Sequence, residues 1–433
     1  MKLFSTITRQ LAVRLPQLIP SVQKALDEDP DIVGKSLKDQ FDKLLLQPLL
    51  RLELSSFHTP TLVIVIDALD ECERDEDMRI ILQMLPQLRE LKAVHLRIFL
   101  TSRPEWPLLR EFSKIIEHER DILVLHEIQK TVIEHDISLF LEHRLTRIRA
   151  ERLLPAGWPG DSAIRSLVKI SVPLFIYAAT ACRIFEDPQW DPVDSLAEIL
   201  GHRNDGSQFN GTYLPVLNRI LKGQSKKQEK KLIQEYQEIL GAIVMLESPL
   251  SIVSLSHFLG VAEEQIDRRL KSLHSVLNIP SDLTMPVRLF HLSFRDFLCD
   301  QENHDRTPLW VDEKLTHQRL TTRCLYMCGA LKKNICGINY GTKRAEIDRQ
   351  IIDHYLPPEL EYSCRYWAHH LTQSNVTVAA LDDVLSFLEK HFLHWIEAMS
   401  LLGFVSEVVG IITLLQSILH VSFIKCLDIT FAD

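Results

Sequence analysis

The chain has 433 residues, 46% hydrophobic and 25% charged, which is enough apolar content to build real cores and excludes an intrinsically disordered chain. A formal net charge of −9 weighs against a general nucleic-acid binder. Eight cysteines without a CxxC pair suit reduced thiols in a cytoplasmic compartment better than a disulfide framework.

The N-terminus has no basic head followed by an apolar core, so it does not read as a signal peptide. Leu3, Ile7, Leu11 and Leu15 recur at helical spacing, as do Leu37, Phe41, Leu44 and Leu45. The period then changes. TLVIVI (Thr61–Ile66) is a continuous β-branched run, the pattern of a strand buried on both faces. A helix carrying Met78, Ile81, Leu82, Leu85 and Leu88 follows, with Pro86 expected to kink it. LRIFLTSR (Leu96–Arg103) and ILVLHEI (Ile122–Ile128) read as a second and a third strand. Strand–helix–strand alternation implies a parallel, doubly wound sheet whose ligands sit beyond the strands' C-terminal ends.

Past about residue 130 the pattern is helical, with one helix through Ile133, Ile137, Phe140, Leu141 and Leu145. GHRNDGSQFNG (Gly201–Gly211) reads as a linker. Helices over about 212–247, 251–259 and 262–273, then strand-like pieces at Ser275–Ile279 and Val287–Phe290, give the order of a winged helix. Residues 311–433 are helical again. The apolar stretch Leu401–Ile424 is broken by Glu407, Gln416 and His420 and reads as buried helix, not as a membrane span.

The chemistry sits at the end of the first strand. VIDALDEC (Val65–Cys72) places Asp67 where an apolar strand delivers a Walker B carboxylate to Mg²⁺, with Asp70 and Glu71 close enough in sequence to polarise a water. The plainer alternative is three acidic residues capping the next helix. The second strand ends in Thr101, Ser102 and Arg103, at the position of a γ-phosphate sensor.

VIDALDEC followed about 30 residues later by RIFLTSRPE resembles the NACHT domains of STAND-class P-loop NTPases, above all the fungal NLR-like proteins. SVPLFIYAATACRIFED (Ser171–Asp187), HLSFRDFLCD (His291–Asp300) and YSCRYWAHHL (Tyr362–Leu371) are similar to that family's later helical and winged-helix segments. The resemblance implies an α/β core followed by all-α structure: a partial P-loop NTPase sheet over 1–130, a helical subdomain over 131–211, a winged helix over 212–310 and a helical tail over 311–433. It implies ATP/ADP and Mg²⁺ as cofactors. Asp67 would be the magnesium ligand, Asp70 and Glu71 the extra acidic pair and Arg103 the sensor. Pro173 would lie beside adenine, and His291 would contact the β-phosphate of ADP. It further implies protein partners or self-oligomerisation, without membrane or nucleic acid, and an innate-immunity type of signalling.

A Walker A loop, G-x-x-x-x-G-K-S/T, is not found. Gly34-Lys35-Ser36 has Asp29 in the place of the first glycine, amid Glu28, Pro30 and Asp31, and reads as the start of a helix. The expectation is therefore a chain that begins after the P-loop strand, lacks the family's C-terminal repeats and does not hydrolyse ATP alone. A non-catalytic interaction module and a winged-helix nucleic-acid binder are the competing readings. Cys324, Cys328 and Cys336 with His317 read as core, not zinc ligands. Asp161-Ser162 reads as a helix cap.

Overall fold

A computed structural model describes residues 3–52, 59–72, 75–103, 106–115, 120–201, 208–223, 225–339, 341–342 and 346–416. The chain divides into two compact units, Met1–Leu123 with Lys343–Ile347, and Val124–Thr342 with Asp348–Asp433.

The first unit is α/β. It runs α1 (Leu3–Arg14), α2 (Ile19–Glu28), α3 (Leu37–Gln40), a π-helical stretch Phe41–Leu46, α4 (Gln47–Leu50), β1 (Thr61–Ile66), α5 (Asp75–Met84), β2 (His95–Leu100) and α6 (Trp106–Ser113). The i, i+3/i+4 spacing of Phe4, Ile7 and Leu11 buries one face of α1, and the Phe4 ring meets Phe41 edge-on at 5.1 Å. Pro86 ends the expected helix early: the α-helix stops at Met84 and continues as 3-10 turns over Leu85–Glu90.

β1 and β2 pair in parallel, Ile64 opposite Ile98 and Ile66 opposite Leu100. Ile64 and Ile66 are buried in the helical core. The other face corrects the sequence reading, which had β1 buried on both sides. Val63, Val65 and Phe99 are 59%, 64% and 57% exposed. The expected third strand is also absent. Residues 121–124 have no regular structure and Leu125–Glu127 is a 3-10 turn, with Ile122, Leu123 and Leu125 exposed. A strand exists only through its ladder, and among the described residues this segment finds none. Among the described residues the sheet therefore has two strands and not a doubly wound set.

The second unit is almost all helical. It begins with α7 (Lys130–Glu151), α8 (Asp161–Ser171), α9 (Phe175–Glu186) and α10 (Pro192–Gly201). The N-cap of α8 is Gly160 at φ 85°, so Asp161 takes the first helical position instead of the expected cap. Residues 202–207 of the expected linker lie outside the described residues, and Gln208 already starts α11 (Gln208–Leu221). The helix expected over 212–247 is broken at Gly223, φ 81°, and α12 (Lys226–Met245) restarts behind a Ser225/Gln228 capping box. α13 (Ile252–Leu259), α14 (Glu263–Leu270) and a short antiparallel pair, β3 (Leu277–Asn278) with β4 (Arg288–Leu289), precede α15 (Ser293–Cys299). α13, α14 and the hairpin strands fall within the helices and strand-like pieces expected from the sequence.

α16 (Glu313–Cys328), α17 (Arg349–Tyr355), α18 (Pro358–Gln373) and α19 (Val378–Leu402) complete the unit, with further helix over 405–416. Their core holds Trp367 and Trp395 at 5.9 Å, Cys324, Cys328 and Cys364, and a polar chain. Burial pushes the thiols of Cys324 and Cys328 up, which suits a packing role. No helix among the described residues is long and apolar enough to cross a membrane.

Candidate functional site

The strand tips are joined side by side. The ladder runs one bond beyond β2, Thr101 N–H to Ile66 O at 3.0 Å. The chain then turns through Ala68, which is left-handed at φ 52°, ψ 56°, a region that costs a residue bearing a Cβ. A 3-10 turn, Leu69–Glu71, follows.

Thr101 holds this turn together. Its carbonyl accepts the Leu69 N–H at 2.9 Å, and its hydroxyl accepts the Ala68 N–H at 2.8 Å. The same hydroxyl donates its single proton to Asp67 Oδ1. Asp67 is exposed just beyond the strand, with one carboxylate oxygen steadied by Thr101. A cation such as Mg²⁺ binds through one or two carboxylates plus phosphate and water oxygens, and Asp67 fits that role as a single ligand.

Asp70 faces the other way. Its side chain is 8% exposed; Oδ1 accepts the Arg103 backbone N–H at 3.0 Å, and Oδ2 lies 3.7 Å from Arg103 Nε. Asp67, Asp70 and Arg103, named from the sequence, thus share one tip. Glu71 closes the 3-10 turn, and its side chain lies outside the described residues.

Gly34-Lys35-Ser36 is no phosphate cradle. Gly34 ends a 3-10 turn, and the Ser36 hydroxyl caps α3 by accepting the Asp39 N–H. Lys35 and Lys43 both bind Asp29, at 2.7 and 2.9 Å, and hold its carboxyl below the usual range. The acidic residue in the place of the first P-loop glycine therefore engages the lysine.

Pro173 and His291 belong to the second unit. Pro173 is exposed just before α9. His291 is exposed and precedes α15. Its Nδ1 accepts the Ser293 N–H at 3.1 Å and sits 2.7 Å from Ser293 Oγ, which in turn lies 2.8 Å from the buried Tyr213 hydroxyl. Acceptance at Nδ1 places the proton of a neutral ring on Nε2, which makes that nitrogen a donor.

Two features escaped the sequence reading. One is the role of Thr101 in tying the two tips together, since the sequence marks it just as a polar residue at the end of a strand. The other is a buried chain in the second unit. The Glu247 N–H donates to Tyr362 Oη at 3.2 Å, and that hydroxyl lies 2.6 Å from His370 Nε2. His370 Nδ1 in turn lies 2.8 Å from His317 Nδ1, so one of the two nitrogens donates and the other accepts. Burial lowers the two histidines from the ordinary 6.5 to about 4 for His317 and about 2 for His370.

Residues 1–103 match the protein family described as Nephrocystin 3, N-terminal. Over 454 aligned positions, 94% of this chain, the sequence is 23% identical to the vegetative incompatibility protein HET-E-1 of Podospora anserina. These matches bear out the NACHT resemblance. The chain spans 30% of the length of that relative. No solved structure matches. The matched family segment ends at Arg103, so it takes in both parallel strands and the whole acidic tip of the NACHT-like unit.

Proposed function

We propose that the chain is a signalling module of the NACHT type, built as a nucleotide-dependent switch and crippled as an ATPase by itself. The observation that carries the reading is the exposed Asp67 carboxylate at a strand tip, steadied by Thr101 beside Arg103. In this reading Asp67 is a ligand of Mg²⁺, and Arg103 answers the terminal phosphate. Asp70 and Glu71 supply the acidic pair, Pro173 lines the adenine side, and the Nε2 donor of His291 meets the β-phosphate.

Phosphoryl transfer rests on positioning and electrostatics, chiefly a backbone cradle and its lysine. The one GKS sequence caps a helix, and its Lys35 is paired with Asp29. We therefore expect no ATP turnover above background from this chain alone. A second reading, a non-catalytic module that works by protein contacts or self-association, is favoured by the exposed apolar face of Val63, Val65 and Phe99.

Calorimetry with MgADP and MgATP separates the two, on the wild type, Asp67→Ala and His291→Ala. Micromolar binding by the wild type that both substitutions abolish supports the switch. Folded wild type that binds neither nucleotide rejects it in favour of the interaction module.

A further inference from the structure

We propose that Asp70 is a positioning residue that acts through Arg103, not a carboxylate that activates water; this rests on the nucleotide-switch reading of the strand tips. The two aspartates of the tip have divided in orientation. Asp67 is exposed, whereas the Asp70 side chain is 8% exposed and both its oxygens turn onto one residue of the neighbouring tip.

A group that activates water must hold an oxygen within about 2.6–3.2 Å of it in the reacting complex. Asp70 spends Oδ1 on the Arg103 amide at 3.0 Å, and Oδ2 faces Arg103 Nε at 3.7 Å. The left-handed turn at Ala68 produces this split, because it swings the chain back so that Leu69 bonds to Thr101.

The grip comes where the ladder has ended. The last strand bond is made by Thr101, and nothing in a β-ladder fixes the backbone two residues further on. The Asp70 carboxylate supplies that missing anchor by accepting the Arg103 N–H, a charge-assisted bond. The guanidinium, by contrast, is 41% exposed, with Nε 3.7 Å from Asp70 Oδ2. The Asp70 carboxylate therefore pins the backbone of Arg103, and with it the point from which the arginine side chain departs.

Two measurements test this. Amide exchange at Arg103, read without nucleotide, reports the grip itself. Wild type and Asp70→Asn, which keeps an acceptor at the same place, should protect the amide, and Asp70→Ala should exchange at least about tenfold faster. Equal exchange in all three overturns the proposal.

The second measurement is MgATP and MgADP affinity. Asp70→Ala and Arg103→Gln should each weaken MgATP about tenfold, with the double variant no weaker than Arg103→Gln. Asp70→Asn should stay within about threefold of wild type, and MgADP should be indifferent to all of them. Additive losses, or Asp70→Asn as weak as Asp70→Ala, overturn the proposal. A wild type that binds neither nucleotide yet shows the exchange difference rejects the switch reading and leaves the grip standing.

Discussion

Acidification should loosen the second unit, through the buried His317–His370 pair. Both histidines are neutral in the fold, at about 4 and about 2 against an ordinary 6.5. The sign follows from proton uptake. As pH falls through about 6.5 the unfolded chain gains protons that the folded chain refuses, so stability is lost as pH drops, until each folded value is reached. From about pH 7 to about pH 5, at about 1.4 kcal/mol per proton per pH unit, each histidine costs about 2 kcal/mol and the pair about 4 kcal/mol. With a urea slope of about 2–3 kcal/mol per M, the midpoint should fall by about 1.5–2 M. Fluorescence of the buried Trp367 and Trp395 reports that transition. His370→Gln should remove about half of the loss. Every other titrating group is shared by wild type and variant, so the difference between the two isolates the buried pair. An equal midpoint shift in both proteins would refute the neutral-histidine reasoning.

The first unit offers two further tests. Thr101→Val keeps the side-chain shape but strips partners from the Ala68 amide and an Asp67 oxygen, so it should cost about 1–3 kcal/mol, with Thr101→Ser close to wild type. Thermal melting decides this, and a Val variant as stable as the Ser variant would remove Thr101 from the account. Phe99→Lys should change stability by less than about 0.5 kcal/mol and raise the monomer fraction in light scattering, because the ring lies on an exposed apolar face. Unfolding of that variant would mean the face is covered in solution.

Local pattern carried much of the first unit. The shift from helical spacing to the β-branched run TLVIVI marks β1, and the acids after it mark the tip. Composition misled where structure depends on a neighbour. Ile122–Leu125 is as apolar as β1, yet strand formation is decided by a pairing partner, which a sequence window does not contain. Burial of Val63 and Val65 failed for the same reason, since it needs elements on the second face. The dual role of Thr101 depends on the register that sets Ile66 opposite Leu100. The His317–His370 contact joins residues 53 apart on two helices, and no spacing rule reaches that far.

The placement of Asp67 consequently depends less on the sheet than on the turn. A two-stranded parallel sheet with one face open gains burial from Ile64, Ile66 and their partners on a single side. Isolated ladders of that size are marginal in water, and the tips are the ends that should open first. Here the tips carry four additional bonds: Leu69 and Ala68 to Thr101, Thr101 to Asp67, and Arg103 to Asp70. Two of the four end on carboxylates, so the acids that would serve a cation also close the structure that presents them. A cation on Asp67 would draw charge from the oxygen that Thr101 steadies, and a phosphate near Arg103 would compete with Asp70 for the guanidinium. On the proposed switch reading, ligand chemistry and tip closure would be coupled through the same few atoms.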